Sequence, residues 1–504
     1  MTIPCLAVGL AAGCGDDAGA PHEDPDGGAS TPACIDPDEA YPISRALVPG
    51  STSSAFYDTV SPTEYADIQR THIHRADFYG GQDGEETTVT VRQLMGVHEN
   101  AYNLVTRDRD EAFLYGTDPE PYVVKFDLTS GQVVWRTELP VLEDNFIWVG
   151  LVAVHGNGDI YAVHSRTLVR LSPESGDILA RADLPPPSGS AARDTVYNGF
   201  TIAPSGVIVG KSYGRPAGCT ESGTAAIINC VDDDNPQPPS RIVTLDPETL
   251  EMLSSAELPE VATGRPAVAQ FGGREYVYLN GADNVYRLRL DGNDIVLDTT
   301  WLYGGFLTEG ETGSSSVVVM GDWVTFQTNG TPSRAPMSVH VVSQADAGRF
   351  VRREPFSAPP MTSFTPSSVT ADPVSMSIYS QDGGRGQIAR LDFDEANLAL
   401  TEAWVIDQRT INHLTLIGPP EKRVLVSTEA PQAAMGFITG RTDYDEQLVW
   451  RSAEDAKELA RSEILPAMFY GGPVNPGFDG TQFYLGLDGR ILELSTSGPV
   501  PVCE

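Results

Sequence analysis

The feature that most constrains this chain is a motif that returns along it. "YVVKFDLTSGQVVWRTELP" spans residues 122–140, "TLVRLSPESGDILARADLP" spans 167–185 and "RIVTLDPETLEMLSSAELP" spans 241–259. In each, apolar and polar residues alternate, so one face of an extended strand is apolar. A short turn of Asp, Ser, Pro or Gly follows, then a second strand and a closing Leu-Pro, which together read as a β-hairpin. Looser copies occupy residues 284–301, 387–404 and 446–466. Ahead of the hairpins lie further strand pairs of the type "GDIYAVH", "REYVYLNG" and "MSIYSQDG". One unit is thus four short strands in about fifty residues, which cannot bury its faces alone and must stack on its neighbours as a propeller blade does.

Innermost strands are expected to start near Asn103, Val149, Phe200, Pro266, Ser314, Ser363, Ile411 and Val474. That gives eight units, with seven as the alternative count. The last unit, "GTQFYLGLDGRILELSTSG", lacks an outer strand, while "TTVTVRQLMG" at 87–96 is a strand without a unit. Pairing the two would close a ring with no free edge. The expected fold is all-β: a single β-propeller, eight four-stranded blades, closed by N- and C-terminal strands.

The run Asp127-Leu128-Thr129-Ser130-Gly131-Gln132-Val133-Val134-Trp135 fits the pattern D-x-x-[ST]-G-x-x-x-W. Ser172-Pro173-Glu174-Ser175-Gly176 and Asp246-Pro247-Glu248-Thr249 follow it without the tryptophan. In these repeats the chain resembles the quinoprotein-like (PQQ-like repeat) superfamily of β-propellers. The resemblance implies the blade, and a fold does not fix a function. Dehydrogenases of that family hold pyrroloquinoline quinone in the central channel against a calcium or lanthanide ion, commonly beneath a disulfide between neighbouring cysteines. This chain has no adjacent cysteine pair, no matching Glu, Asn and Asp set and no Cys-x-x-Cys-His for haem. No quinone or haem cofactor is therefore expected.

The first thirteen residues are apolar and too short to span a bilayer. With Ala12, Gly13 and Cys14 they resemble a bacterial lipoprotein signal, in which Cys14 carries the lipid. Leu10 sits four places before Cys14 where three is usual, and no Lys or Arg precedes the run, as for a start placed too far downstream. Residues 14–42, rich in Asp, Glu, Gly, Ala and Pro, read as a disordered acidic tether. Residues 43–504 read as the propeller with an N-terminal extension. Of six cysteines, Cys5 leaves with the signal and Cys14 is lipidated, so Cys34, Cys219, Cys230 and Cys503 remain. Four cysteines allow three connectivities. The expected one staples Cys219 to Cys230 and joins Cys34 to Cys503, which requires the termini to meet. The expected address is the periplasm or the outer-membrane or cell surface, with membrane contact only through the lipid. The net charge of -36 argues against nucleic acid as a partner, and a monomer is expected.

Chemistry is thinly marked. There is no G-x-S-x-G, no HExxH and no phosphate-cradling glycine loop. His72 and His74, with Asp77, are the candidate metal ligands, because His-x-His on a strand places two imidazoles on one face. The plainer reading of that stretch is a polar edge of the N-terminal extension. "VDDDNPQPP" at 231–239 offers carboxylates beside Asn235, hard ligands that suit Ca2+, but without the alternation of a calcium loop. Propellers bind at a mouth of the channel. The candidates there are Asn103, Trp148, Asn198, Arg265, Ser367, His413 and Asn475, with His413 as base, ligand or hydrogen-bonded core residue. The function expected is binding or scaffolding in the cell envelope, with an envelope protein or small ligand as partner. The alternative is an enzyme at the channel mouth, either a metal-dependent hydrolase or lactonase or a cofactor-dependent oxidoreductase.

Overall fold

Most of the hairpin turns are closed by their own side chains. In the first blade Asp127 Oδ1 accepts from Ser130 N at 2.7 Å and from Ser130 Oγ at 3.0 Å. Gly131, at φ +72°, supplies the left-handed step that returns the chain. The computed structural model describes residues 34–503 apart from 51–54, 82–86, 99, 118–119, 143–145, 233, 314, 331–334, 361–367, 431–443 and 469–471. Residues 1–33, including Cys14 and the tether, lie outside the described residues.

The strands form eight four-stranded antiparallel sheets. Seven are sequential, with innermost strands Ala101–Asp108, Leu151–Val154, Thr195–Ile202, Ala267–Phe271, Val318–Met320, Thr370–Asp372 and Thr415–Ile417. In the eighth blade, Asn475–Pro476, Thr481–Leu485 and Arg490–Ser497 come from the C-terminus, and the outer strand is Thr88–Val97. Thr88 pairs with Ser497 and Gln93 with Leu492, which closes the ring as expected and fixes the blade count at eight. The fifth blade's outer hairpin, Val339–Ser343 with Phe350–Arg353, has no close copy of the repeat. Its turn keeps an Asp346-x-Gly348 signal, with Gly348 N bonded to Asp346 Oδ1 at 2.8 Å.

The core lies between blades as separate apolar clusters. Phe113, Tyr115, Val152 and Ile160 join the first blade to the second. Leu104, Leu114, Phe483 and Ile491 join the eighth to the first. The tryptophan of the repeat has a defined task at these joints. Trp135 Nε1 donates to Pro173 O of the next blade at 3.1 Å, beside Lys125 Nζ at 3.2 Å. Trp301 Nε1 reaches Ser343 O at 2.9 Å while Arg287 Nη1 reaches Gln344 O at 2.6 Å. Trp404 Nε1 and Arg390 Nη1 share Ala453 O at 3.3 Å and 3.0 Å. An outer-strand indole and a cation one strand inward thus tie a blade to its neighbour's turn.

The disulfides are Cys34–Cys503 and Cys219–Cys230, the expected pairing. Beside the first, Ile35 N donates to Pro501 O and Cys503 N to Ile35 O, each at 2.8 Å. A crosslink spanning 469 residues of sequence removes much chain entropy from the unfolded state, worth about 2–5 kcal/mol. Two such bonds mark a chain that folds in an oxidising compartment.

The N-terminal extension is not a polar edge. Residues 55–77 run through the ring and pair with the innermost strands, whose inner edges would otherwise leave backbone groups without partners. Thr106 N donates to Ser61 O, Val154 N to Pro62 O, Val268 N to Ile68 O and Val319 N to Gln69 O, at 2.7–2.9 Å. Ala371 N then donates to Thr71 O at 3.2 Å, and Leu416 N to His72 O at 2.8 Å. Ser61 Oγ reaches Pro476 O of the eighth blade at 2.6 Å, and Phe56 and Ile68 pack with Phe200 and Ile202 of the third. One segment therefore plugs the channel and touches every blade.

Candidate binding site at the channel mouth

The innermost strands begin on one face of the ring, and Glu64 and Arg70 of the plug lie among the residues there. Tyr102 opens the first strand, Asn198 lies within the third, and Arg265, Ser368 and His413 each stand two residues before theirs. Between Tyr197 and Phe200 the pairing with the neighbouring strand slips, so Asn198 and Gly199 form a bulge. Gly199 has a steric reason to be glycine. A Cβ there would lie 2.8 Å from Arg265 Cγ and 2.9 Å from Cδ, so the arginine stem occupies that space.

Arg265 is the centre of a buried cluster. Its Nη1 pairs closely with Glu64 Oε1 and donates to the Tyr102 hydroxyl at 2.9 Å and the Tyr65 hydroxyl at 3.5 Å. Its Nε donates to Asn198 O at 2.8 Å. Tyr102 donates to Glu64 Oε1 at 3.3 Å. The Tyr65 hydroxyl lies 2.8 Å from His413 Nε2, and its ring stacks on His72 with centroids 4.4 Å apart. Of the two partners of the Tyr65 hydroxyl among the described residues, Arg265 can only donate, so His413 Nε2 is the acceptor within reach of its hydrogen, and with the hydrogen given there the ring proton is on Nδ1. Arg70 lies 4.0 Å over the Tyr65 ring, with Nη2 3.9 Å from Glu64 Oε1.

Burial sets the charges. It pushes the Tyr65 hydroxyl well above the ordinary tyrosine value, with Glu64 adding to the effect, and moves Tyr102 up to about 12. It brings His413 down to about 3, helped by Arg265 and Arg70, and His72 well below the usual imidazole value, helped by His413. Lys211, fully buried with Nζ donating to Ala262 O at 2.6 Å, is pushed well down by burial and then by Arg265 and Arg70. Burial alone would lower Arg265, but Glu64 and the two phenols outweigh it and raise its value. Burial thus disfavours charge on the imidazoles and on the Lys211 amine and keeps the phenols protonated, while the two guanidiniums meet Glu64.

The structure brings Asn198, Arg265 and His413 together. Asn103 serves elsewhere: its Nδ2 donates to Val152 O at 2.9 Å and its Oδ1 accepts from Val152 N at 3.1 Å, clamping two blades. Trp148 packs with Phe146 and Tyr213 beside the Cys219–Cys230 loop. Asn475 Nδ2 reaches Pro473 O at 3.4 Å in the eighth blade. Ser367 lies outside the described residues, but Ser368 Oγ is 3.0 Å from His72 Nε2. Glu64, Tyr65 and Arg70 were missed by sequence reasoning.

His72, His74 and Asp77 do not converge as metal ligands. His72 Nδ1 is held by Leu414 O at 3.0 Å, and its Nε2 is 3.0 Å from Ser368 Oγ. His74 Nδ1 bonds Ser61 Oγ at 2.9 Å, and Asp77 accepts from Ile43 N and Ser44 N at the helical turn Pro42–Ala46. In the 231–239 stretch, Asp232 Oδ1 accepts from Asp234 N and Asn235 N, closing a turn on itself. Among the described residues, no three His, Cys, Asp or Glu side chains form a metal-binding group. A groove of about 900 Å³ lies away from this mouth, where the strand Thr415–Ile417 ends, between Asp77–Gly81 and Gly418–Val424. Its lysines, Lys422 and Lys457, alternate with Glu421, Glu454 and Glu458.

No protein-family model matches the chain, and no curated protein sequence is similar to it. Solved structures do match its fold. A europium-containing methanol dehydrogenase superposes with TM-score 0.54 at 8% identity over 88% of this chain and 98% of its own. The quinohemoprotein alcohol dehydrogenase of Comamonas testosteroni gives 0.54 at 11% identity over 93% and 85%. BamB of Moraxella catarrhalis gives 0.42 at 9% identity over 81% and 100%. The likeness to the two dehydrogenases shows a β-propeller fold shared with them and nothing of the chemistry. A quinone in the channel does not fit the residues present. The space is taken by the chain's own plug, with Tyr65 stacked on His72, and the disulfides are not between neighbouring cysteines.

Proposed function

We propose that the protein is an exported, lipid-tethered binding propeller of the cell envelope that takes a ligand or partner at this mouth without transforming it. The observation that carries the reading is the electrostatic state of the cluster. A general base works best with a pKa near the operating pH. Here Tyr65 is pushed up while His413 and His72 are pushed down, so neither a phenolate nor a poised imidazole is offered. The enzyme alternative draws support from the 2.8 Å Tyr65–His413 contact, which has the geometry of a hydroxyl and its base. The pKa directions favour binding.

Native mass spectrometry of the protein in a small-molecule extract of the envelope tests this. One adduct per chain, released chemically unchanged, is expected; continuous conversion of a component would overturn the reading. The address rests on the oxidised cysteines and the lipobox-like residues ending at Cys14. Cell fractionation should find the chain with membranes and its Cys14→Ser variant released from them. A variant that stays membrane-bound would rule out the anchor.

A further inference from the structure

The plug is held differently from the blades around it. Three of the apolar clusters that join blades contain none of its residues: those pairing Tyr278 with Phe326, Leu104 with Phe483, and Val318 with Ile378. Those joints do not depend on the segment. The segment itself carries strain, with left-handed φ of 70°, 61° and 62° at Ala66, Arg70 and His72. Arg70 is buried there, and its Nε and Nη2 find no hydrogen-bond partner among the described residues. Release of the plug relieves both costs.

Three buried imidazoles belong to this segment or close on it. His72 and His413 lie with ring centroids 5.6 Å apart, both against Tyr65. Around the pair stand Glu64, Asp67 and Arg70 of the plug, Tyr102 of the first blade, Lys211 of the third and Arg265 of the fourth. Two guanidiniums therefore meet at most two carboxylates, and a proton on either ring adds uncompensated positive charge. His74 stands apart, with Nδ1 2.9 Å from Ser61 Oγ and 3.2 Å from Val60 O. The charged neighbours of His74 in sequence are engaged elsewhere: Arg75 pairs with Asp58, and Asp77 accepts from Ile43 N and Ser44 N.

We propose that residues 55–77 are an acid-released plug: at neutral pH they fill the channel, and in mild acid they leave it while the eight blades stay assembled. This goes beyond the binding reading and does not depend on it. Burial holds all three rings below the ordinary imidazole value, so the seated plug refuses protons that the released one accepts. Each ring multiplies the opening constant by up to about ten per pH unit below roughly pH 6.5. Asp67, raised by burial, returns a proton on release and takes back at most one such factor. Opening thus gains about a hundredfold to a thousandfold per pH unit. The released segment stays attached at both ends, through Cys34–Cys503 before it and the pairing of Thr88–Val97 with Arg490–Ser497 after it. Return to neutral pH therefore reseats it.

Hydrogen exchange of the whole chain from pH 7.5 to pH 4.5, corrected for intrinsic exchange rates, tests the proposal. The amides that donate to the plug, those of Thr106, Val154, Val268, Val319, Ala371 and Leu416, should lose protection by about a hundredfold or more per pH unit below pH 6. The hairpins Tyr122–Glu138 and Arg241–Glu257 should lose theirs only at lower pH, and neutral pH should restore both. His74→Gln should lower the slope by about tenfold per pH unit, whereas a merely structural loss would shift every pH alike. His413→Gln is read the same way if His74→Gln does not fold. Loss of protection in plug-facing amides and hairpins at the same pH would overturn the proposal, since acid then unfolds the ring as a whole. Protection unchanged down to pH 4.5, or a slope unaltered in a folded variant, would overturn it as well.

Discussion

Between pH 6.5 and pH 4 the protein is expected to lose stability steeply, and the cause is its buried imidazoles. Burial brings His74 and His164 down to about 4 and His340 and His413 down to about 3, and it pushes His72 well below the ordinary value. Each has a hydrogen-bond partner that suits a neutral ring. His164 Nδ1 meets Tyr115 OH at 2.7 Å, and His340 lies between Tyr303 OH at 3.0 Å and Ser338 Oγ at 2.8 Å. In the unfolded chain these rings take up protons near pH 6.5, while the folded protein refuses them until its lower values are reached. Stability falls wherever the unfolded state binds more protons, so it is full above pH 6.5 and drains as pH drops towards 4. One such histidine removes up to about 1.4 kcal/mol per pH unit, and five together several times that, a large share of a typical total of roughly 5–15 kcal/mol.

Carboxylates act in a different window. Asp127, Asp246 and Glu257, held low mainly by turn hydrogen bonds or an arginine, give up their stabilisation only below the ordinary carboxylate range. Asp67 and Glu446 are raised by burial, so they take up protons above the ordinary carboxylate range and offset part of the histidine loss. The net fall in the upper half of the window rests on the histidines outnumbering them. Urea midpoints at pH 7.5, 6.5, 5.5 and 4.5 read the effect, and His340→Gln should flatten the slope by about one histidine's share. Equal midpoints at pH 7.5 and pH 5.5 would mean that the rings are hydrated and protonate without unfolding.

The blades were legible because their signal is local. Alternation, a turn with Asp and Gly, and a closing Leu-Pro are set by neighbours in sequence. Tyr122–Asp127 with Gln132–Glu138 could therefore be read directly, as could the spare strand Thr88–Val97. The blade built on Val318–Met320 was harder to see, since its outer hairpin keeps only Asp346 and Gly348 of the turn. The plug was not legible at all. Residues 55–77 carry no period, and what places them is a row of strand edges contributed by all eight blades. Arg265 and His413 were found because polar residues just ahead of apolar strands could be noticed one at a time. Glu64 was not, because its partner Arg265 lies 201 residues away, and Arg70 was not, because the Tyr65 and Glu64 it faces are brought over it only by the path of the plug. The density of hydrogen-bonding side chains in "SPTEYADIQRTHIHRAD" was the one available hint that this stretch is no surface edge.

That plug makes Glu64 the residue whose loss should cost the most. Its Oε1 is paired with Arg265 Nη1, accepts from Tyr102 and faces Arg70, all within a site almost closed to water. Glu64→Gln leaves two buried guanidiniums without a countercharge, and breaking a buried pair by removing one partner costs about 3–5 kcal/mol. The consequence is not confined to the mouth, because Pro62, Ile68, Gln69, Thr71 and His72 give their carbonyls to the innermost strands of five blades. Loosening the segment withdraws acceptors from Val154, Val268, Val319, Ala371 and Leu416 together. Hydrogen exchange should then show these five amides losing protection while the hairpins Tyr122–Glu138 and Arg241–Glu257 keep theirs. Urea unfolding should show a large fall in the midpoint. Asp291→Asn, which removes an exposed ion pair with Arg289, sets the scale for an ordinary surface charge at roughly 0–1 kcal/mol. If Glu64→Gln costs no more than Asp291→Asn, the mouth is hydrated well enough to carry unpaired arginines, and the plug is held by its backbone contacts alone.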